Sequence, residues 1–279
     1  IKNLVNAVNR HARALVLLTN EVAARGVLAA TVDLNQLMAG IHKKFPNDRE
    51  KSLYASIELS LRRLPEDVRD KLNVLALFHG GVHLVVWAQL LNLEKPEDIR
   101  SIAAQLINVG LAELKAYNHL QLDPALPSYM RSQISESEKE EIQVKWAEAM
   151  VGLVNYLYEE WFKDAKIAAH LTILELANLL TLLNYLKARY SPEDVVNTAS
   201  RIEQLIARLH KPRALQKVVE IREMAHKNIK AWSSAAHEAE RLKIERFQAR
   251  GNLQAAYDTA QKLLQKSLDE GEDAYPGAD

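Results

Sequence analysis

Three helices in this chain start in the same way. Pro65-Glu66-Asp67, Pro96-Glu97-Asp98 and Pro192-Glu193-Asp194 each place proline at the first helical position, where its missing N–H costs nothing. The two acids that follow face the positive end of the helix dipole, and Ser191 adds a side-chain cap to the third start. These boundaries constrain what lies around them. SLRRLPEDVRDKLNVLALFHGG (60–81) reads as helix, proline stop, helix, glycine turn. The helix opened at Pro96 runs to Gly110, after which 111–117 and 119–123 alternate around Tyr117-Asn118. That alternation predicts a β-hairpin, with Leu120 and Leu122 on one side and Gln121 on the other. Pro124 and Pro127 bracket the start of a short helix reaching about Ile134.

The segments on either side read as helical. In HARALVLLTNEVAARG (11–26), Ala14, Leu15, Leu18, Val22 and Ala23 follow helical spacing, and Gly26 is the expected stop. Thr31 is the expected cap of a next helix with Leu34, Leu37, Met38 and Ile41 on one face, Lys43 and Lys44 in its last turn, and KFPND (44–48) as the turn after it. From Ser135 onward only helices are expected: one opened by the acidic SESEKEE, then 165–190, 191–210, 212–228, 230–250 and 252–270. Ile142, Trp146, Ala149, Met150, Leu153, Leu157 and Trp161 form the apolar stripe of the first. LHKPRAL (209–215) and RGNLQAA (250–256) are two turn-then-helix signatures about 41 residues apart, a period near that of helical-hairpin solenoids.

The expected fold is therefore mainly α: a small helical domain (1–45), a winged helix with a short β-hairpin (46–134), and a tetratricopeptide-like α-superhelix (135–279). The chain opens IKNLVNAVNR and closes EDAYPGAD, ends that read as those of a piece cut from a longer protein.

Charge and composition exclude several function classes. Thirty-six basic and thirty-six acidic residues cancel, so no global field draws in nucleic acid or an anionic membrane. With no cysteine there is neither a disulfide nor a thiolate metal site, which suits a cytoplasmic protein. The most apolar segment, 165–190, has as its longest charge-free run only 176–186, short of the roughly 20 residues that span a membrane. Thr172, Glu175, Asn178, Thr181 and Asn184 recur along it, which predicts a buried helix with one wet edge.

HARALVLLTNEVAARGV (11–27), SLRRLPEDVRDKLNVLALFHGGVHL (60–84) and GLAELKAYNHLQLDPALPSYM (110–130) together resemble the segment that follows the nucleotide-binding core in STAND signal-transduction ATPases. In that family a NACHT or NB-ARC core is followed by a helical domain, a winged helix and a superhelical sensor. ERFQARGNLQAAYDTAQKLL (245–264) similarly resembles half of a tetratricopeptide repeat, with Phe247, Gly251 and Ala256 at its core, turn and small-residue positions, although Leu263 replaces a second small residue. The resemblance implies a non-catalytic regulatory fragment. Its winged helix would pack on an upstream ATPase core and hold it closed, and its helical array would meet protein partners. Two motif positions depart from the family. The glycine-x-proline element that packs on adenine falls on Arg10-His11-Ala12, and the histidine that senses the ADP phosphate falls on Asp123. A carboxylate there repels phosphate. No GxxxxGK[ST] loop is present, so ATP hydrolysis by that route is excluded from this chain, and any ATP or ADP site belongs to the full-length protein.

Other readings are weaker. A DNA-reading helix needs basic and amide side chains on its open face; 97–108 offers Arg100, Gln105 and Asn108, and the hairpin adds Lys115. His79 and His83 have the spacing of a helical metal pair, but Gly80-Gly81 between them favours a turn and no third ligand is close in sequence. Glu66, Asp67, Glu138, Glu140 and Glu141 sit at helix starts, where acids serve the dipole rather than proton transfer. No catalytic, cofactor-binding or metal-ligating residue is therefore assigned, and neither nucleic acid nor membrane is an expected partner. Trp146 and Trp161 share the apolar stripe and belong to the core. Tyr158 and Phe162 lie off it, as candidates for packing on a neighbouring helix or a partner. A free-standing helical-repeat scaffold or adaptor is the alternative reading.

Overall fold

The computed structural model describes residues 2–8, 11–41 and 48–270. The chain is mainly α-helical with one small three-stranded antiparallel sheet. It forms two compact units, 1–149 and 150–279.

The first unit begins with α1 (Lys2–Ala7), α2 (Ala12–Ile41) and α3 (Asp48–Leu61). Leu4, Val8, Ala14, Leu18, Leu34, Ala55 and Leu59 from all three form one buried cluster. Gly26 breaks α2 at a left-handed φ of 82°, as its position in the sequence suggests. The expected cap at Thr31 is not one: its hydroxyl donates to the Val27 carbonyl at 2.7 Å, a mid-helix bond four residues back. A β-branched hydroxyl inside a helix finds that acceptor as readily as a cap site. The expected turn at Lys44–Asn47 and the basic pair Lys43-Lys44 lie outside the described residues.

The remainder of this unit runs α4 (Glu66–Arg69), a 3-10 segment Asp70–Leu77, β1 (Gly81–His83), α5 (Leu84–Leu90), α6 (Pro96–Asn108), β2 (Ala112–Leu114), β3 (His119–Leu122) and α7 (Leu126–Arg131). The hairpin is present, with Tyr117 and Asn118 both at left-handed φ in its turn and Lys115 N–H donating to His119 O across it. Leu120 and Leu122 are buried while Gln121 is exposed. The first strand was not anticipated. HGGVH reads as a turn, yet Gly81–His83 pairs with β3 in the register Gly81↔Gln121, Val82↔Leu120, His83↔His119, giving the order β1-β3-β2. A three-residue strand has no period for the eye to find. Trp87, Phe78, Leu106 and Leu111 lie fully buried, and Phe78 meets Trp146 edge to face at 6.4 Å.

The long helix α8 (Glu136–Lys163) starts with a capping box: Ser135 Oγ accepts from Glu138 N at 3.2 Å, and Ser135 N donates to the Glu138 carboxylate at 3.1 Å. Trp146, Ala149, Met150, Leu153 and Leu157 of its stripe are buried.

The second unit continues with α9 (Ala165–Arg189), α10 (Pro192–Ile206), α11 (Pro212–His226), α12 (Ser234–Ala249) and α13 (Leu253–Glu270). Asp164 caps α9, Ser191 caps α10 and Ser233 caps α12 through their side-chain oxygens. The two turn signatures fold alike. His210 before α11 and Gly251 before α13 both adopt left-handed φ (52° and 73°), 41 positions apart. The pairs α10/α11 and α12/α13 form successive hairpins, with α10 also touching α9 and α12. The architecture is repeat-like and all-α.

By length and hydropathy α9 is apolar enough to cross a membrane. It sits instead against α10 and α11, with Leu171, Leu179, Leu182, Leu183 and Leu186 buried. Its expected wet edge is dry over its first half. Thr172, Glu175 and Asn178 are fully buried, Asn178 Nδ2 donating to the Glu175 carboxylate at 2.6 Å and Thr172 to Ala168 O at 2.7 Å. Polar groups that satisfy one another along a helix can be packed away from water.

Candidate functional site

Asp123 meets Arg13, the residue that directly follows the Arg10-His11-Ala12 element. Asp123 follows β3 and is held by its own turn: its N–H donates to Leu111 O at 2.8 Å, and its carboxylate accepts from Ala125 N at 2.9 Å. Arg13, in the first turn of α2, donates through Nε to both oxygens of that carboxylate, at 3.2 and 2.9 Å, across 110 residues of chain. The Asp123 side chain is 8% exposed and that of Arg13 42%. Beside them, His11 Nδ1 accepts from Ala14 N at 3.3 Å and so caps α2, while Ala12 opens it; Arg10 lies outside the described residues. A phosphate does not fit here. The acceptor-only carboxylate faces the place where a donor would be needed, and the nearest guanidinium is already engaged with it.

A second tie joins α7 to α3. Tyr129 of α7 donates to the Glu58 carboxylate of α3 at 2.7 Å, and Arg62 and Arg69 reach that carboxylate at 3.1 and 3.8 Å. Burial, then the hydrogen bond and charge of Glu58, push the Tyr129 hydroxyl well above the usual phenol range. Tyr129 therefore stays a donor at any working pH. Arg131 donates twice to Ala76 O, at 3.2 and 2.8 Å, tying α7 to the 3-10 segment. A polar cleft of about 630 Å³ opens beside Glu58, Arg62, Arg69 and Tyr129. No sequence signal marks Tyr129–Glu58 or Arg131–Ala76, because each joins elements distant in sequence.

The Arg13–Asp123 tie has a measurable weight. Arg13→Ala is expected to cost at most about 1 kcal/mol, as for a half-exposed ion pair. Asp123→Ala, which also removes the acceptor of Ala125 N, should cost about 1–2 kcal/mol. Asp123→Asn keeps the turn and should match Arg13→Ala. Denaturant unfolding of the three variants checks the order.

The other sequence candidates are dispersed. His83 lies in β1 opposite His119, both buried; His79 precedes the strand, its pKa lowered by burial and by Arg131. Glu138 is occupied by its capping box and Asp67 by Lys71 at 3.3 Å. On α6, Arg100 and Asn108 are exposed and Gln105 half-buried, and Lys115 pairs with Glu113 at 2.6 Å, so these positions of α6 and the hairpin carry little positive charge.

In the second unit the central feature is a buried ionic network. Arg222, 1% exposed, donates to the Glu203 carboxylate at 2.8 Å and to Ala239 O at 2.8 Å; Arg246 reaches Glu203 at 3.4 Å and Glu223 at 2.7 Å. Two arginines face two glutamates, so the set is neutral. Burial alone would raise the Glu223 carboxyl, but its hydrogen bond and charge interaction with Arg246 outweigh that and leave it lowered. Nearby, burial lowers His226 despite Glu240 at 3.7 Å, with Arg222, Lys243 and Lys266 adding to the effect.

These directions set a pH dependence. A histidine with a depressed folded pKa binds its proton more readily when unfolded, so its contribution is intact above about pH 6.5 and declines below it. Glu223 adds stability above its ordinary carboxylate range that is lost at lower pH, as its folded pKa is crossed. The unfolding midpoint should therefore fall on going from pH 7.5 to 5.5, and His226→Gln should reduce that fall.

Over this network lies a groove of about 870 Å³, between the end of α8, the C-terminal end of α10, the first turns of α11 and the last turns of α12. Phe162 is 72% exposed at its edge and meets Tyr158 edge to face at 5.4 Å; Tyr158 is braced by Arg201 over its ring. The pair singled out from the sequence as lying off the stripe thus divides: Tyr158 packs, and Phe162 faces out.

Comparison with protein-family models, with curated proteins and with solved structures found no match.

Proposed function

We propose that the chain is a non-catalytic regulatory and sensor fragment of a STAND-type signal-transduction ATPase, working in the cytoplasm. The winged helix restrains an upstream ATPase core, and the helical array binds protein partners. The observation that carries this reading is the Arg13–Asp123 pair. It ties Asp123, where the resemblance places a phosphate-sensing contact, to Arg13, the residue directly after the Arg10-His11-Ala12 element, by an ion pair internal to the chain. On this reading, nucleotide no longer sets the packing of the helical domain on the winged helix; the protein does so by itself. The array then supplies the signal, through partners that bind it.

A free-standing scaffold or adaptor is the second reading, favoured by the open groove with Phe162 at its edge. The coding sequence upstream of Ile1 separates the two. A GxxxxGK[ST] loop within the few hundred preceding residues supports the regulatory fragment. A reading frame that starts near Ile1 overturns it in favour of the scaffold.

A further inference from the structure

We infer that the groove above the Glu203–Arg222 network is a docking site for an acidic amphipathic helix of a partner protein. The inference rests on the array being the protein-binding part of the chain, and it adds the chemistry of the partner. The floor is apolar: Leu205, Leu215, Val219 and Leu242 line it, with Trp161 and the exposed Phe162 at one side. Aliphatic side chains between helices accept the apolar face of another helix, whereas a single-stranded nucleic acid requires aromatic platforms along a basic track.

Charge selects the partner. The turns that frame the groove, ARLHKPR (207–213) and FQARGNL (247–253), carry Arg208, Lys211, Arg213 and Arg250 and no carboxylate. Other charges in the lining are occupied: Arg246 by Glu203 and Glu223, and Glu245 by Arg241. Arg208 and Arg250 line the groove and have no side-chain partner among the described residues. Glu220 is an acid on the rim, and Gln216 donates to it at 2.9 Å. A helix with leucine or phenylalanine along one face and glutamates beside it would fill the floor and meet the two free guanidiniums. Since the chain as a whole is neutral, this excess is local and not a general attraction for polyanions.

The test is selection of a displayed library of amphipathic helical peptides against the whole chain, with flanking positions varied among Glu, Gln and Lys. Enrichment of Glu over Lys is expected, with micromolar binding that weakens as salt rises. Phe162→Ala should weaken binding by roughly tenfold or more, as for an interface anchor. The double variant Arg208→Glu/Arg250→Glu should reverse the preference toward Lys. All three residues are exposed, and circular dichroism establishes that the variants stay folded. Recovery of Lys-flanked or neutral peptides that depend on Phe162 would overturn the acidic partner while keeping the array as a protein-binding surface. Recovery of no peptide, or of peptides indifferent to Phe162, would overturn the site and remove this support from the protein-binding reading. An oligonucleotide of about 20 nucleotides that binds more tightly and competes at the groove would overturn it in favour of nucleic acid.

Discussion

Replacing Glu203 with alanine is expected to destabilise the second unit by about 3–5 kcal/mol, the usual cost of stripping one partner from a buried ion pair. Its carboxylate is 4% exposed and holds Arg222, 1% exposed, at 2.8 Å. With it gone, among the described residues Arg222 keeps Ala239 O as its one hydrogen-bond acceptor, and Arg246 keeps Glu223. A full positive charge is then left in a low-dielectric interior without its counterion. The unfolding midpoint should fall by roughly 10 °C or more in a domain of this size. The double variant Glu203→Met/Arg222→Met removes both charges at similar volume and should recover most of the loss, because the cost lies in the orphaned charge rather than in the absence of the pair. If the single and double variants are equally unstable, the pair contributes net stability and this argument is wrong.

Gly81→Ala is expected to cost about 3 kcal/mol, at the upper end for overpacking. The reason is local to the sheet. A Cβ at Gly81 would stand 2.3 Å from His119 Cε1 and 2.6 Å from the Leu120 carbonyl oxygen. The histidine ring could turn aside, but the carbonyl belongs to β3, so the strand itself must move. Hydrogen exchange should then quicken at Leu122, whose N–H donates to Gly80 O at 3.0 Å, before it quickens in α2 and α3. Gly80→Ala acts differently: nothing stands within 4 Å of its Cβ, and its cost comes from a φ of 84° alone. Uniform loss of protection across the first unit would contradict the assignment of the strain to β1–β3.

The contrast between these glycines shows what the sequence makes legible. Helix boundaries at Pro65, Pro96 and Pro192 could be read because proline and the acids after it act within one turn. The two left-handed turns at His210 and Gly251 could be placed through their spacing. Phe162 could be set off the α8 stripe by angle alone. Strand β1 could not, since its three residues acquire their pairing only from a distant strand, β3, in the register Gly81↔Gln121 and Val82↔Leu120. For the same reason neither Arg13 nor Tyr129 is legible in the sequence: each takes its meaning from one distant carboxylate, Asp123 or Glu58. Thr172, Glu175 and Asn178 are buried where the sequence predicts a wet edge, because a polar stripe at helical spacing looks the same whether solvent or its own hydrogen bonds satisfy it. The candidate site was thus half visible. Asp123 stood out as a departure from a pattern, while its partner was hidden by 110 residues of intervening chain.

On the proposed reading, the chain regulates without handling nucleotide itself. Incubating the chain with Mg²⁺ and ATP, and measuring both phosphate release and ADP or ATP binding by calorimetry, addresses this most directly. No phosphate release above buffer and no saturable binding are expected, for wild type and for Asp123→Ala alike. Turnover, or saturable binding that Asp123→Ala strengthens, would contradict the claim that the Arg13–Asp123 pair has taken the nucleotide's place.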